Sequence, residues 1–204
     1  ALAELIGSVE RNKVLSLGTR QFIATGAVNG QGQTGRNAQR IMVGQPGGTF
    51  WGPTFTRVVN GHQFFRCART AADCVGGETR TPTGDDDGII GNANPSVSLG
   101  LSNNGRWNNF DASWLWRSEI GRDVFNNTAL IYQSKTNVNQ DRNFLADALA
   151  DPDSIGEPAK FSSRWIEDGS FIRLQNMTVG YRFNLPSRLG LAGGRSTRVY
   201  LSGD

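Results

Sequence analysis

Apolar and polar residues alternate along much of this chain. Between residues 94 and 103, Val97, Leu99 and Leu101 alternate with Ser96, Ser98, Gly100 and Ser102. Successive strand residues point to opposite faces, so the stretch predicts a strand with one apolar and one polar side. The run 109–120 follows the same rule, with Phe110, Ala112, Trp114 and Trp116 against Asp111, Ser113 and Arg117. In 169–184, Met177, Val179, Tyr181 and Phe183 alternate with Asn176, Thr178, Gly180 and Arg182. Weaker runs at 8–17, 36–44, 49–59 and 196–204 bring the expectation to about seven strands. Phe144, Leu145, Ala148 and Leu149 recur at helical spacing, so one helix is expected over 141–150, stopped by Asp151-Pro152.

The connections between these strands alternate in length. Residues 18–35, 60–93 and 121–168 are long and polar, while 45–48, 104–108 and 185–195 are short. The short ones carry turn chemistry in Gln45-Pro46-Gly47-Gly48, Asn104-Gly105 and Leu185-Pro186-Ser187. An up-and-down antiparallel sheet built this way has its long loops at one end and its short turns at the other. Transmembrane β-barrels are arranged so, and a soluble sandwich has no reason to be.

Parity then assigns the faces. Val97, Leu99, Leu101, Phe110, Ala112, Trp114, Trp116, Met177, Val179, Tyr181, Phe183, Val199 and Leu201 fall on the lipid side. Ser98, Gly100, Asp111, Ser113, Arg117, Asn176, Thr178, Arg182, Arg198 and Tyr200 fall on the inner side. Leu115 breaks the polar side. Arg173 and Gln175 share the parity of Met177, so they are expected above the hydrocarbon, towards the long loops.

Composition agrees with a barrel. Only 37% of the 204 residues are hydrophobic, and no run approaches the roughly 20 apolar residues of a spanning helix. Barrel strands need only about 9–11 residues, with alternate ones apolar. A net charge of +3 with scattered basic residues gives no nucleic-acid footprint. The two cysteines, Cys67 and Cys74, read as a small disulfide loop in an exported protein, or as free thiols in a reducing compartment. With His62 as the only histidine, a zinc site is not expected. No initiator Met or signal pattern stands at Ala1, and Val199–Asp204 reads as a strand still running. Residues 1–204 are therefore expected to be a partial outer-membrane β-barrel domain, truncated at both ends.

Several segments, in order, resemble the SusC/RagA group of TonB-dependent outer-membrane transporters. Val43-Gly44-Gln45-Pro46-Gly47-Gly48-Thr49-Phe50-Trp51-Gly52 is similar to the group's Gly-Gln-Pro hairpin and aromatic-Gly strand. Ile89-Ile90-Gly91-Asn92-Ala93-Asn94-Pro95 resembles its Gly-x-x-Asn-Pro lead into a strand. Asn109-Phe110-Asp111 and Gly121-Arg122-Asp123-Val124-Phe125-Asn126 resemble the motifs flanking that next strand. Ser163-Arg164-Trp165-Ile166-Glu167-Asp168-Gly169-Ser170-Phe171-Ile172-Arg173-Leu174 is the most specific match, and Val199-Tyr200-Leu201-Ser202-Gly203-Asp204 resembles the strand after it. The resemblance implies a large barrel in the bacterial outer membrane, with an N-terminal plug that is absent from these residues. It also implies energy coupling through TonB, a SusD-like surface lipoprotein as partner, and import of bulky glycans or peptides. No cofactor is implied. Where the group often carries an acidic calcium-loop-like stretch, this chain has Thr83-Gly84-Asp85-Asp86-Asp87-Gly88-Ile89, without EF-hand spacing, which puts calcium binding in doubt.

For catalysis, Asp111, Glu119, Asp123 and Glu167 supply carboxylates, but no spacing fixes two of them across a cleft, so no enzyme is expected. Trp51, Trp107, Trp114, Trp116 and Trp165 suit either sugar stacking or the aromatic girdles of a barrel. The girdle is the expectation for Trp114 and Trp116, and no ligand residue is assigned. The alternative from another class is a secreted or surface β-rich glycan-binding or adhesin module without a transport role.

Overall fold

The computed structural model describes residues 2–150, 154–184 and 196–204. The chain forms two compact units: Ala1–Glu10, Pro95–Gly121 and Ser170–Asp204 make the first, and Arg11–Asn94 with Arg122–Gly169 the second. The expected turn at 185–195 and the helix stop at Asp151-Pro152 lie outside the described residues.

The first unit is a five-stranded antiparallel sheet, in the order Leu2–Val9, Val97–Trp107, Phe110–Ile120, Phe171–Asn184, Ser196–Gly203. Leu2–Val9 and Ser196–Gly203 each pair on one side only among the described residues. The fold is thus an all-β antiparallel wall that does not close on itself.

Register places the apolar residues together. Leu5, Leu101 and Trp116 lie in one cross-strand row, and Ala112, Val179 and Leu201 in another. The face assignments read from parity agree with this register. A β-bulge between Leu115 and Trp116 then shifts the pairing with the Phe171–Asn184 strand. Beyond it Leu174 pairs with Trp116 and Ile172 with Ser118, while Arg173 pairs with Arg117. One extra residue reverses parity, so Arg173 joins the polar face instead of standing above the apolar one. Leu115 stays on the polar face, half-buried.

Three further expectations are corrected. The first wall strand is Leu2–Val9, not 8–17. It escaped period-two reading because Leu2 and Ile6 share the polar face with Glu4 and Ser8. The hairpin turn is Asn108-Asn109, where Asn108 takes a φ of 51°, and the strand runs on through Asn104-Gly105. The runs 36–44 and 49–59 do form strands, but not in the wall. Asn37–Met42 and Thr49–Pro53 belong to a four-stranded sheet of the second unit with Phe22–Ala27 and Asp87–Asn92.

The pairing defines the ends of the wall. Val9 pairs with Val97, Val97 with Ile120, and Glu119 with Phe171. Both long excursions of the chain, after Val9 and after Ile120, therefore leave and rejoin the wall at one end. The Asn108-Asn109 turn lies at the other. The 45–48 turn belongs to an excursion, so it is not among the turns of that far end.

The second unit has its own core of Val28, Phe50, Leu130, Ile155, Phe161 and Trp165. A three-stranded sheet (Phe55–Val59, His62–Arg66, Glu78–Thr79) and a pair (Asp123–Phe125, Ile166–Asp168) complete its strands. Helix forms at Asn127–Tyr132, where the Asn126 side chain accepts from Ala129 N. In the expected 141–150 segment only Asp147–Ala150 is helical.

Candidate functional site

Two features of this molecule bear on function: the two-sided wall and the polar surface of the second unit.

On the wall, the apolar face lacks a covering layer among the described residues. Leu99 and Leu101 are each 38% exposed and Leu201 80%. Isolated exposed apolar residues are ordinary, but a whole sheet face of them marks a surface made for an apolar partner. Near the hairpin end this face turns aromatic. The Phe110 and Tyr181 rings lie 4.7 Å apart, Phe183 stacks on Tyr181, and Trp107 stands exposed beside them. That is the arrangement of an interfacial girdle. Trp114 and Trp116 lie deeper on the same face.

The opposite face carries charge. Asp111 accepts hydrogen bonds from Arg198 Nε and Nη2, and Arg182 Nε lies 3.7 Å away. Arg198 reaches Asp111 across Gly180, where a Cβ would meet its Nε at 2.6 Å. Arg117 pairs with Glu119 at 2.5 Å.

In the second unit the motif residues lock one another. Asn94 Nδ2 donates to Gly47 O at 2.5 Å, tying the Gly-Asn-x-Asn-Pro segment to the Gln-Pro-Gly-Gly hairpin. Asp123 Oδ2 accepts from Asn92 N at 2.8 Å. This approach passes over Gly91, at φ +157°, where a Cβ would lie 2.6 Å from the Asp123 carboxylate. Trp165 is 1% exposed and its Nε1 donates to Lys160 O at 2.9 Å. It is therefore a core residue and offers no face to a sugar.

The hairpins around the two cysteines carry an ion-pair framework. Cys67 and Cys74 are joined as a disulfide with Cα atoms 6.0 Å apart. Inside that loop, Arg69 grips Asp73 with both terminal nitrogens at 2.7 Å and donates through Nε to Asp86 at 2.9 Å. Arg69, with Thr81 and Thr79, holds the Asp73 carboxyl well below the usual carboxylate range. The three adjacent acids thus diverge. Asp86 accepts from Thr83 N and Arg69, and Asp87 from Arg36 at 2.7 Å. One oxygen of Asp86 and one of Asp87 are thus engaged by N–H donors, Asp86 Oδ1 is buried without a hydrogen-bond partner, and no group of three potential metal ligands forms among the described residues. Glu157 accepts from Gln63 N at 2.9 Å and meets His62 Nδ1 at 3.1 Å. Burial raises its pKa, but Gln63, His62, Lys160 and Arg80 outweigh that and hold it below the ordinary value. A cavity of about 670 Å³ opens beside this group, lined by Phe64 and Val75 and by paired charges including Arg57 with Glu78. The acids weighed for catalysis are engaged elsewhere: Asp111 with arginines, Glu119 with Arg117, Asp123 with Asn92, and Glu167 with Asn126.

No protein-family model matches the chain. It is 30% identical over 186 residues to a TonB-dependent receptor, P3, of Formosa agariphila, covering 82% of this chain and 18% of that protein. It is 27% identical to the receptor P26 of the same organism, over 98% of this chain and 22% of the other. In structure it resembles the RagAB peptide transporter, with a TM-score of 0.70 at 19% identity over 98% of this chain and 22% of that one. An open-open state of the RagAB peptide importer gives 0.68. The chain spans about a fifth of the length of these relatives.

Proposed function

We infer that this chain, which carries the sequence and fold of a SusC/RagA-type TonB-dependent receptor, builds part of the barrel wall and outer loops of a transporter in the bacterial outer membrane. The observation that carries this reading is the wall itself. One face is apolar and uncovered, the other is charged, and both long excursions emerge at one end. Lipid rewards the first face, a wet lumen tolerates the second, and long loops on one side match the extracellular side of such barrels. The whole protein then imports bulky nutrients, oligosaccharides or peptides, with energy delivered by TonB through a part of the receptor outside these residues. A SusD-like surface lipoprotein hands over the cargo. The Cys67–Cys74 bridge and the Arg69 ion pairs hold the outer hairpins, in an oxidising compartment, as a firm recognition surface.

The test uses the full-length receptor in phospholipid vesicles, with a bimane label on Leu101→Cys or Ser102→Cys. Brominated lipid chains are expected to quench the label at 101 and leave the label at 102 bright. Equal quenching, or none at 101, refutes the wall assignment and favours a surface binding module. Deleting the gene is expected to abolish growth on the imported oligomer while growth on its monomer continues.

A further inference from the structure

Arg40 occupies an unusual position in the second unit. Its guanidinium carbon lies 4.2 Å from the Phe22 ring centroid and 4.9 Å from that of Trp51. Each contact is a cation–π interaction of about 0.5–2 kcal/mol, so two aromatic rings hold the group in place. A guanidinium held this way keeps its N–H donors along its edge, where Nη2 meets Asp87 Oδ2 at 4.0 Å, beyond hydrogen-bond range. Arg40 makes no hydrogen bond among the described residues. The other oxygen of that carboxylate, Oδ1, is engaged by Arg36 at 2.7 Å. The Asp87 side chain is only 3% exposed, whereas Arg40 is 26% exposed. Two cations therefore share one buried anion, and the donor edge of Arg40 is reachable from solvent.

A cavity of about 230 Å³ opens at this point. Sheet pairing makes it: Ala24 is directly opposite Arg40, and its small side chain leaves space where a larger one would fill the gap. Asn37 and Trp51 also line it, and the Trp51 Nε1 is buried without a hydrogen-bond partner among the described residues.

We propose that this cavity is a subsite for a carboxylate-bearing sugar, a hexuronate unit, with Arg40 taking the carboxylate along its exposed edge. The fork of a guanidinium matches two carboxylate oxygens, and a preorganised one loses little freedom on binding. The other groups favour a sugar over an acidic peptide side chain. A ring hydroxyl both donates and accepts, so it can donate to Asp87 and accept from Asn37. An aspartyl or glutamyl residue needs two separate backbone groups for this, an N–H that only donates and a C=O that only accepts, where one hydroxyl serves both. The ligand class rests on the nutrient-receptor reading; the geometry of the site does not.

The experiment is calorimetric titration of the full-length receptor in detergent with methyl glucuronide, methyl glucoside and N-acetylglutamate amide. The glucuronide is expected to bind at least tenfold more tightly than either of the others. Arg40→Gln is expected to weaken it at least tenfold, about 1.4 kcal/mol, and to leave the glucoside unchanged. Ala24→Leu, which fills the cavity with the charges intact, is expected to weaken it similarly. If Arg40→Gln does not fold, Ala24→Leu decides alone, and retained binding there overturns the site. Unchanged affinity in Arg40→Gln, or a glucoside that matches the glucuronide, also overturns it. Equal binding of the acetylglutamate overturns the sugar assignment. Binding is read without transport, so uptake lost with binding intact counts against the transport reading. Binding lost with uptake intact counts against this site.

Discussion

Leu99 and Leu101 have the same exposure in the wall, 38% each. Burial alone therefore assigns the same cost to an arginine at either position. Lipid does not. A strand rises about 3.3 Å per residue, and at a tilt near 40° each residue gains about 2.5 Å of height. Counted from Val97 at the loop end, Leu99 lies about 5 Å and Leu101 about 10 Å into an apolar band about 25 Å tall. Leu101→Arg should then cost about 2–4 kcal/mol and Leu99→Arg about 1–2 kcal/mol, since the penalty falls towards the interfaces. Ser102→Arg, on the polar face beside Leu101, should cost well under 1 kcal/mol. Guanidinium unfolding of the full-length receptor in lipid bilayers, followed by tryptophan fluorescence, gives the three numbers. Equal costs at 99 and 101 would return the argument to burial, as in a soluble sandwich. A cost at 102 matching that at 101 would mean that the faces are reversed.

Other outcomes follow from particular contacts. Thiol counting under denaturing, non-reducing conditions should find Cys67 and Cys74 unreactive, and replacing both with Ser should loosen the 67–81 hairpins by at most about 2–3 kcal/mol. The Glu157 carboxyl lies below its ordinary value when folded, so its stabilisation is complete above the usual carboxylate range and is lost as pH falls through the depressed value. Protection of the Gln63 amide from exchange should accordingly fall as pH drops below the usual carboxylate range, and Glu157→Gln should remove that loss of protection. Gly52→Val drives a side chain into Phe161, whose Cε1 lies 2.7 Å from where a Cβ would stand. Overpacking of this kind costs about 1–3 kcal/mol, read as a lowered unfolding midpoint for the loop unit. Expressed alone, residues 1–204 should aggregate and conduct no ions in planar bilayers, because two unpaired strand edges cannot be left in hydrocarbon. A monodisperse soluble monomer would contradict this.

The sequence disclosed the wall where alternation was clean. Val97–Leu101, Phe110–Trp116 and Met177–Phe183 fall on the faces that period two assigns them. It failed where alternation carries no such information. A bulge at Leu115/Trp116 changes parity without changing composition, so plain alternation puts Arg173 on the apolar face, which the register reverses. Leu2 and Ile6, on the polar side, hid the first strand. Alternation at 36–44 and 49–59 announces strands but does not say which sheet they join. The Arg40 cavity was illegible for the same reason, since it exists only because residue 24 pairs with residue 40. The motif residues were visible as a resemblance, but their work was not. Only the fold brings Asp123 to Asn92 and Asn94 to Gly47.

The points where the two excursions leave the wall have an evolutionary consequence. Val9 is paired with Val97, and Gly121 N donates to Ser170 Oγ across the foot of the second excursion. Each insertion thus begins and ends on backbone that the wall already holds at ladder spacing. Lengthening such a loop costs little, since closure entropy grows only with the logarithm of its length. Whole loop cassettes can therefore be exchanged between these fixed feet without disturbing a single strand register. Variation would then collect in the excursions, and the wall be inherited almost as a standard fitting.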